Sequence, residues 1–109
     1  MILEIRTYRL RPGTADTFHK VATERSLPML RDAGIDVVLA APSEAAEEGN
    51  EEYALIRAFP SLEVREAQER AFYGSDAWRD GPRDDILACI EGYHTIVLTV
   101  SPEAVDALR

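Results

Sequence analysis

Charged and phenolic side chains recur at every second position in three segments of this sequence. Glu4, Arg6 and Tyr8 alternate in the first, Tyr53, Leu55, Arg57 and Phe59 in the second, and Tyr93, Thr95 and Val97 in the third. Residues two apart in a strand share a face, so this spacing gathers two guanidinium groups, one carboxylate and several phenols on one side of a sheet. Arg6 and Arg57 could act as a fork that binds a carboxylate or enolate. Tyr8 or Tyr93 could donate a proton to a developing oxyanion; Tyr53, nearer an acidic loop, ranks below them. Glu4 would be a base only if burial raised its pKa, and two nearby arginines push the other way, so an ion-pair role fits it better. A plainer reading stands beside this one: Glu4 or an acid of a second subunit neutralises the arginines, and the tyrosines are amphipathic interface residues.

Other candidates are more isolated. Trp78, Tyr73 and Arg83 surround a helix break, where they could wall a cavity mouth or simply plug the gap above a sheet. His94 alternates with Ile96 and reads as a core or strand-end histidine; a bulge would turn it to the other face and make it a general base. His19 is expected on an exposed helix flank. Cys89, among Ile86, Leu87 and Ile90, reads as buried filler. Two separated histidines and one cysteine give no metal-ligand pattern. No nucleophile triad, phosphate loop or nucleotide fingerprint is present, so no cofactor is expected.

The elements that must position these groups follow from periodicity. Ile2–Leu10 is a strand stopped by Pro12-Gly13. Thr14 is placed to cap a helix carrying Phe18, Val21 and Ala22. Pro28 should interrupt that helix near Leu27, and Gly34 ends it. Residues 35–41 and 53–59 are strands around an acidic loop. Ser61 caps a helix over Leu62–Tyr73, and Ser75 a short turn with Trp78. Gly81-Pro82 starts a third helix that runs toward Gly92, residues 93–100 form the fourth strand, and Ser101-Pro102 begins a short tail. The order β-α-β-β-α-(α)-β in one domain, 1–109, predicts an α+β, ferredoxin-like split βαβ fold with a four-stranded antiparallel sheet of order 4-1-3-2.

Helices cover one face of such a sheet. The uniformly apolar set is expected beneath them: Leu3, Ile5 and Thr7; Ile35, Val37 and Leu39; Ala54, Ile56 and Ala58; Ile96, Leu98 and Val100. The mixed set, with Val38 added, then faces outward. It is too apolar to be left in water, so a second copy of the chain is expected to cover it.

Composition narrows the partners. Among 109 residues, 20 acids against 12 bases give a net charge of −8 with a single lysine. Nucleic acid and anionic membranes are poor fits. No apolar run approaches a membrane span. The lone cysteine and the absence of a basic leader lead us to expect a soluble, cytoplasmic protein.

Three stretches resemble the NIPSNAP family: Glu4-Ile-Arg-Thr-Tyr-Arg-Leu-Arg-Pro-Gly13, Tyr53-Ala-Leu-Ile-Arg-Ala-Phe59, and Phe72-Tyr-Gly-Ser-Asp-Ala-Trp78 followed by Gly81-Pro82-Arg83. The resemblance spans about residues 2–100. It implies a dimeric α/β barrel built from ferredoxin-like subunits, within a superfamily that includes cofactor-free monooxygenases, polyketide cyclases, dehydratases and haem-degrading enzymes. The resulting expectation is a homodimer enclosing a small, anionic organic molecule, and an enzyme only of a cofactor-free, proton-transfer kind. Tyr8 and Tyr93 would be its catalytic groups, and Glu4, Arg6, Arg57, Trp78 and Arg83 its ligand-binding ones. The rival expectation is a non-enzymatic dimeric module whose polar face is consumed by its interface.

Overall fold

The computed structural model describes all 109 residues, Met1–Arg109. Four strands, β1 (Ile2–Leu10), β2 (Asp36–Pro42), β3 (Glu51–Phe59) and β4 (Ile90–Thr99), form one antiparallel sheet of order β2-β3-β1-β4. This is the ferredoxin-like plan predicted above. Six helices accompany it: α1 (Ala15–Val21), α2 (Leu27–Asp32), α3 (Leu62–Tyr73), α4 (Asp76–Arg79), α5 (Arg83–Cys89) and α6 (Pro102–Leu108). None is long and apolar enough to cross a membrane.

Local chemistry explains the breaks. Between α1 and α2 the chain widens into a π-helical turn, Ala22–Ser26, just ahead of Pro28. Proline has no amide hydrogen and its ring crowds the carbonyl four residues back, so a wider turn relieves the conflict. Gly34 ends the segment at φ +82°, a left-handed conformation that a side chain would strain. Ser61, Ser75 and Ser101 each accept a hydrogen bond from the amide three residues on, at 3.2 Å. Thr14 does not cap in this way; its hydroxyl turns back to the Arg11 carbonyl at 2.7 Å. Gly81 is obligatory for packing, because a Cβ there would lie 2.3 Å from the Ala77 carbonyl oxygen. That close approach folds α5 back on α4 and fixes Trp78 over the sheet. The third helix does not continue to Gly92: α5 stops at Cys89 and β4 starts at Ile90.

The strand alternation separates two residue sets as expected, but the helices cover the opposite set. Ile2, Tyr8, Leu10, Tyr53, Leu55 and Phe59 pack against Phe18, Leu27, Leu30, Phe72, Trp78 and Ile86 from the helices. Glu4 and Arg57 lie on the same face and are fully buried. The β1 and β3 part of the mixed face therefore belongs to the core of the chain, whereas Tyr93 and Val97 on β4 stay exposed. Two causes favour this arrangement. Large side chains are needed to span the sheet-to-helix gap of roughly 10 Å, and Ala54 and Ala58 cannot do so. The helices also bring Arg65 and Glu69, which pair with the buried charges.

The uniformly apolar set forms the other, open face. Leu3 and Ala58 are covered there by Val105 of α6, with Ile5, Val38, Ile56 and Val100 alongside. An ion pair of 2.5 Å between Arg109 and Asp36 pins the helix end. Toward β4 the face is bare: Ile96 and Leu98 remain more than 40% exposed. In β2 a register shift between Val37 and Leu39 splits the predicted set, placing Val37 under the helices and Val38 beneath α6. His94 pairs with Thr7 and shares the open face with Ile96; it is exposed, not a core histidine. The bulge in β4 lies earlier, opposite Arg9 and Leu10, so it leaves the alternation of His94 and Ile96 intact.

Candidate functional site

Glu4 stands directly opposite Arg57 in the β1–β3 ladder. Arg57 Nη2 donates to Glu4 Oε1, and Arg57 Nη1 donates to the Tyr73 hydroxyl at 2.8 Å. From α3, Arg65 Nε donates to Glu4 Oε2 at 2.8 Å. Arg6 Nη2 approaches Glu4 Oε1 at 3.5 Å, and its Nε donates to Thr95 Oγ1 at 3.0 Å. Glu69 Oε1 lies 2.9 Å from Arg57 Nη2, and its Oε2 is 3.3 Å from Arg65 Nη2. Three guanidinium groups thus face two carboxyls, and the cluster keeps a net positive charge. A buried pair of this kind contributes little net stability, but leaving one partner alone is costly.

The two carboxyls are not equivalent. Burial by itself would raise Glu4, but the hydrogen bond with Glu69, the charge of Arg57 and the hydrogen bonds from Arg57 and Arg65 outweigh it and hold Glu4 well below the usual carboxylate range. Glu69 goes the other way: burial, the hydrogen bond with Glu4 and Glu4's negative charge push it up to about 7, against Arg57 and Arg65. Two carboxyls in contact cannot both ionise freely. The proton resides on the one with fewer donors.

Beside this cluster a cleft of about 560 Å³ opens between β1–β4 and helices α3 to α5. Arg6, Glu69, Tyr73, Arg83 and Glu91 give it a polar side. Tyr8, Trp78, Ile86, Leu87, Ile90 and Tyr93 give it an apolar and aromatic one. Its size falls within the usual range for small-molecule sites. Behind it, Tyr8, Tyr73, Trp78 and Ile86 also line a small apolar chamber of about 40 Å³ within the core.

Of the seven residues singled out from the sequence, five line this cleft: Arg6, Tyr8, Trp78, Arg83 and Tyr93. Glu4 and Arg57 lie behind them as buried supports. Tyr8 packs on Phe18 and Tyr93, and burial pushes its hydroxyl up to about 12, which makes it a poor acid near neutral pH. Tyr93 is 66% exposed at the rim, with the Arg6 guanidinium 5.1 Å from its ring centroid. Trp78 stands at the helix break, between the core and the cleft. It plugs the helix break edge-on against Tyr73, at 5.3 Å, and presents a face to the cleft. Arg83 is half-exposed and paired with Asp84 at 3.0 Å. Outside the cleft, His19 contacts the Tyr53 hydroxyl at 2.7 Å, and Cys89 is buried with its thiol 3.5 Å from the Asp85 carbonyl.

Sequence reasoning missed Arg65 and Glu69. Their signal is the spacing Arg65, Glu69, Tyr73, one residue every four on α3, which is a single helical stripe. The helix buries only Phe72 among its apolar residues, so its inward face had to be this polar stripe.

The NIPSNAP family profile matches residues 3–102. The chain belongs to the NIPSNAP family. Its fold is similar to a NIPSNAP family protein of unknown function from Agrobacterium tumefaciens, with 26% identity, TM-score 0.82, and coverage of 94% of this chain and 92% of that one. It is also similar to an uncharacterised NIPSNAP domain protein from Burkholderia xenovorans, with 20% identity, TM-score 0.78, and coverage of 94% and 96%. A more distant likeness is to a Streptomyces coelicolor monooxygenase solved with the ligand nanaomycin D, at 14% identity and TM-score 0.58, covering 92% of this chain and 87% of that one. Functionally curated sequences contain no significant match.

Proposed function

We propose that this NIPSNAP protein is a homodimer in which each subunit encloses a small, anionic, partly aromatic organic molecule in its own cleft. The observation that carries this reading is the amphipathic cleft itself. Arg6 stands at the cleft-facing edge of a buried cluster with excess positive charge, opposite a wall of Trp78, Ile86, Leu87 and Ile90. A carboxylate or enolate meets the guanidinium and a ring or short chain meets the apolar wall. The monooxygenase of similar fold, solved with the ligand nanaomycin D, supports the idea that this architecture can hold a ligand.

Dimerisation is supported by the open sheet face, where Ile5, Ile56, Ile96 and Leu98 form an apolar surface that α6 covers only in part. A two-fold pairing of these faces would bury it. The rival reading of a non-enzymatic module with its polar face spent in the interface loses support, since that face lies beneath the chain's own helices.

Trp78, the one tryptophan, reports on the cleft. Phenylacetate should quench its fluorescence at a concentration at least about 10-fold lower than neutral phenylacetamide, and Arg6→Gln should remove the difference. Equal responses to acid and amide would overturn the anion preference.

A further inference from the structure

Building on the cleft as an anion site, we infer that Glu69 is its proton-transfer group, acting on an acidic C–H bond next to a carbonyl in a bound aromatic keto acid. Four observations place it there. Glu69 is the carboxyl of the buried cluster that reaches the cleft, whereas Glu4 is sealed beneath Arg57 and Arg65. Its Oε1 is buried, 2.9 Å from Arg57 Nη2, so Oε2, 3.3 Å from Arg65 Nη2, is the oxygen available to the cleft. Tyr73, one helical turn on, accepts a hydrogen bond from Arg57, which leaves its own hydroxyl hydrogen for an occupant of the cleft. Tyr8, the competing acid, is held neutral by burial.

The step balances without a co-reactant. The Glu69 carboxylate takes the proton from carbon, and the C–H electron pair becomes an enolate with its charge on the former carbonyl oxygen. The Tyr73 hydroxyl, polarised by Arg57 behind it, donates to that oxygen, while Arg6 holds the substrate's carboxylate. Glu69 then gives that proton to the enolate oxygen, completing keto–enol interconversion; exchanged with solvent and returned to carbon instead, it labels the substrate. The groups facing Glu69 set its working range. Glu4 on β1 opposes its ionisation; Arg57 on β3 and Arg65 on α3 favour it; Arg6, Tyr8, Tyr73, Arg83 and Glu91 complete the surroundings. The balance near neutrality is what a general acid–base needs.

Phenylpyruvate is the probe. In D2O the protein should accelerate deuterium incorporation at its benzylic carbon, read by proton NMR, with a rate that rises through an inflection near pH 7. Glu69→Gln should slow that exchange by on the order of 100-fold while retaining saturation-transfer signals from bound phenylpyruvate. Binding without acceleration, exchange unchanged in Glu69→Gln, or a wild-type profile with no inflection near neutrality would each overturn the assignment and leave the cleft an anion site. Absence of phenylpyruvate binding by the wild-type protein would overturn both readings.

Discussion

The two faces of this sheet solve different problems. The helix-covered face contains Glu4 and Arg57 at the centre of an otherwise aromatic and aliphatic core, and it meets their cost with partners from an adjacent helix. The open face is simpler: Leu3, Ile5, Ile56, Ala58, Ile96 and Leu98, with α6 folded over one side. A polar network has a geometry that only a few side chains satisfy, so the first face specifies a unique arrangement and a site. An apolar surface is undemanding in geometry and intolerant of water, so the second is the face through which we propose that two copies pair. The proposed site and the proposed interface are separated by the thickness of one sheet.

Disrupting the covered face should have the largest effect. Arg57→Met leaves Glu4 buried without its principal partner and should cost about 3–5 kcal/mol in urea unfolding. A loss below 1 kcal/mol would mean that Arg65 and Arg6 suffice, and the contrast between the faces would shrink.

The open face should respond in assembly and not in folding. Wild-type protein should sediment at twice the 12.1 kDa chain mass. Ile96→Asp should weaken the dimer by roughly 100-fold or more, about 3 kcal/mol, with the monomer still folded. A monomeric wild-type protein would remove the assembly role altogether.

A smaller effect distinguishes the two carboxyls. Glu69 has its pKa raised in the folded state to about 7, so its contribution is fully present below its unfolded value near 4.5 and is lost as pH rises through 7. Glu4 has its pKa depressed, so its contribution is present above about 4.5 and is lost as pH falls below that. Stability should therefore decline by on the order of 2 kcal/mol between pH 5 and 8, and Glu69→Gln should flatten that decline. Thermal melts across the range would show it, and an unchanged slope in the variant would refute the assignment of the proton to Glu69.

The smallest effect belongs to His94. As an exposed residue of the open face, His94→Ala should change unfolding free energy by less than about 0.5 kcal/mol. A loss above 2 kcal/mol would return it to the core.

Much of this molecule is legible in the linear chain because much of it is local. Strand alternation, the serine caps, the strain ahead of Pro28 and the stop at Gly34 are decided by neighbours within four residues, and the sheet order follows from connection lengths. Alternation likewise brought Glu4, Arg6, Tyr8 and Arg57 to one face. It could not say which face the helices would take, because period two divides residues into sets without ranking them. That choice rested on side-chain reach across the layer and on partners from α3, contacts between residues more than fifty positions apart. The unequal character of Glu4 and Glu69 is of the same kind: it depends on how many donors each oxygen meets in three dimensions, and only the folded chain sets that number.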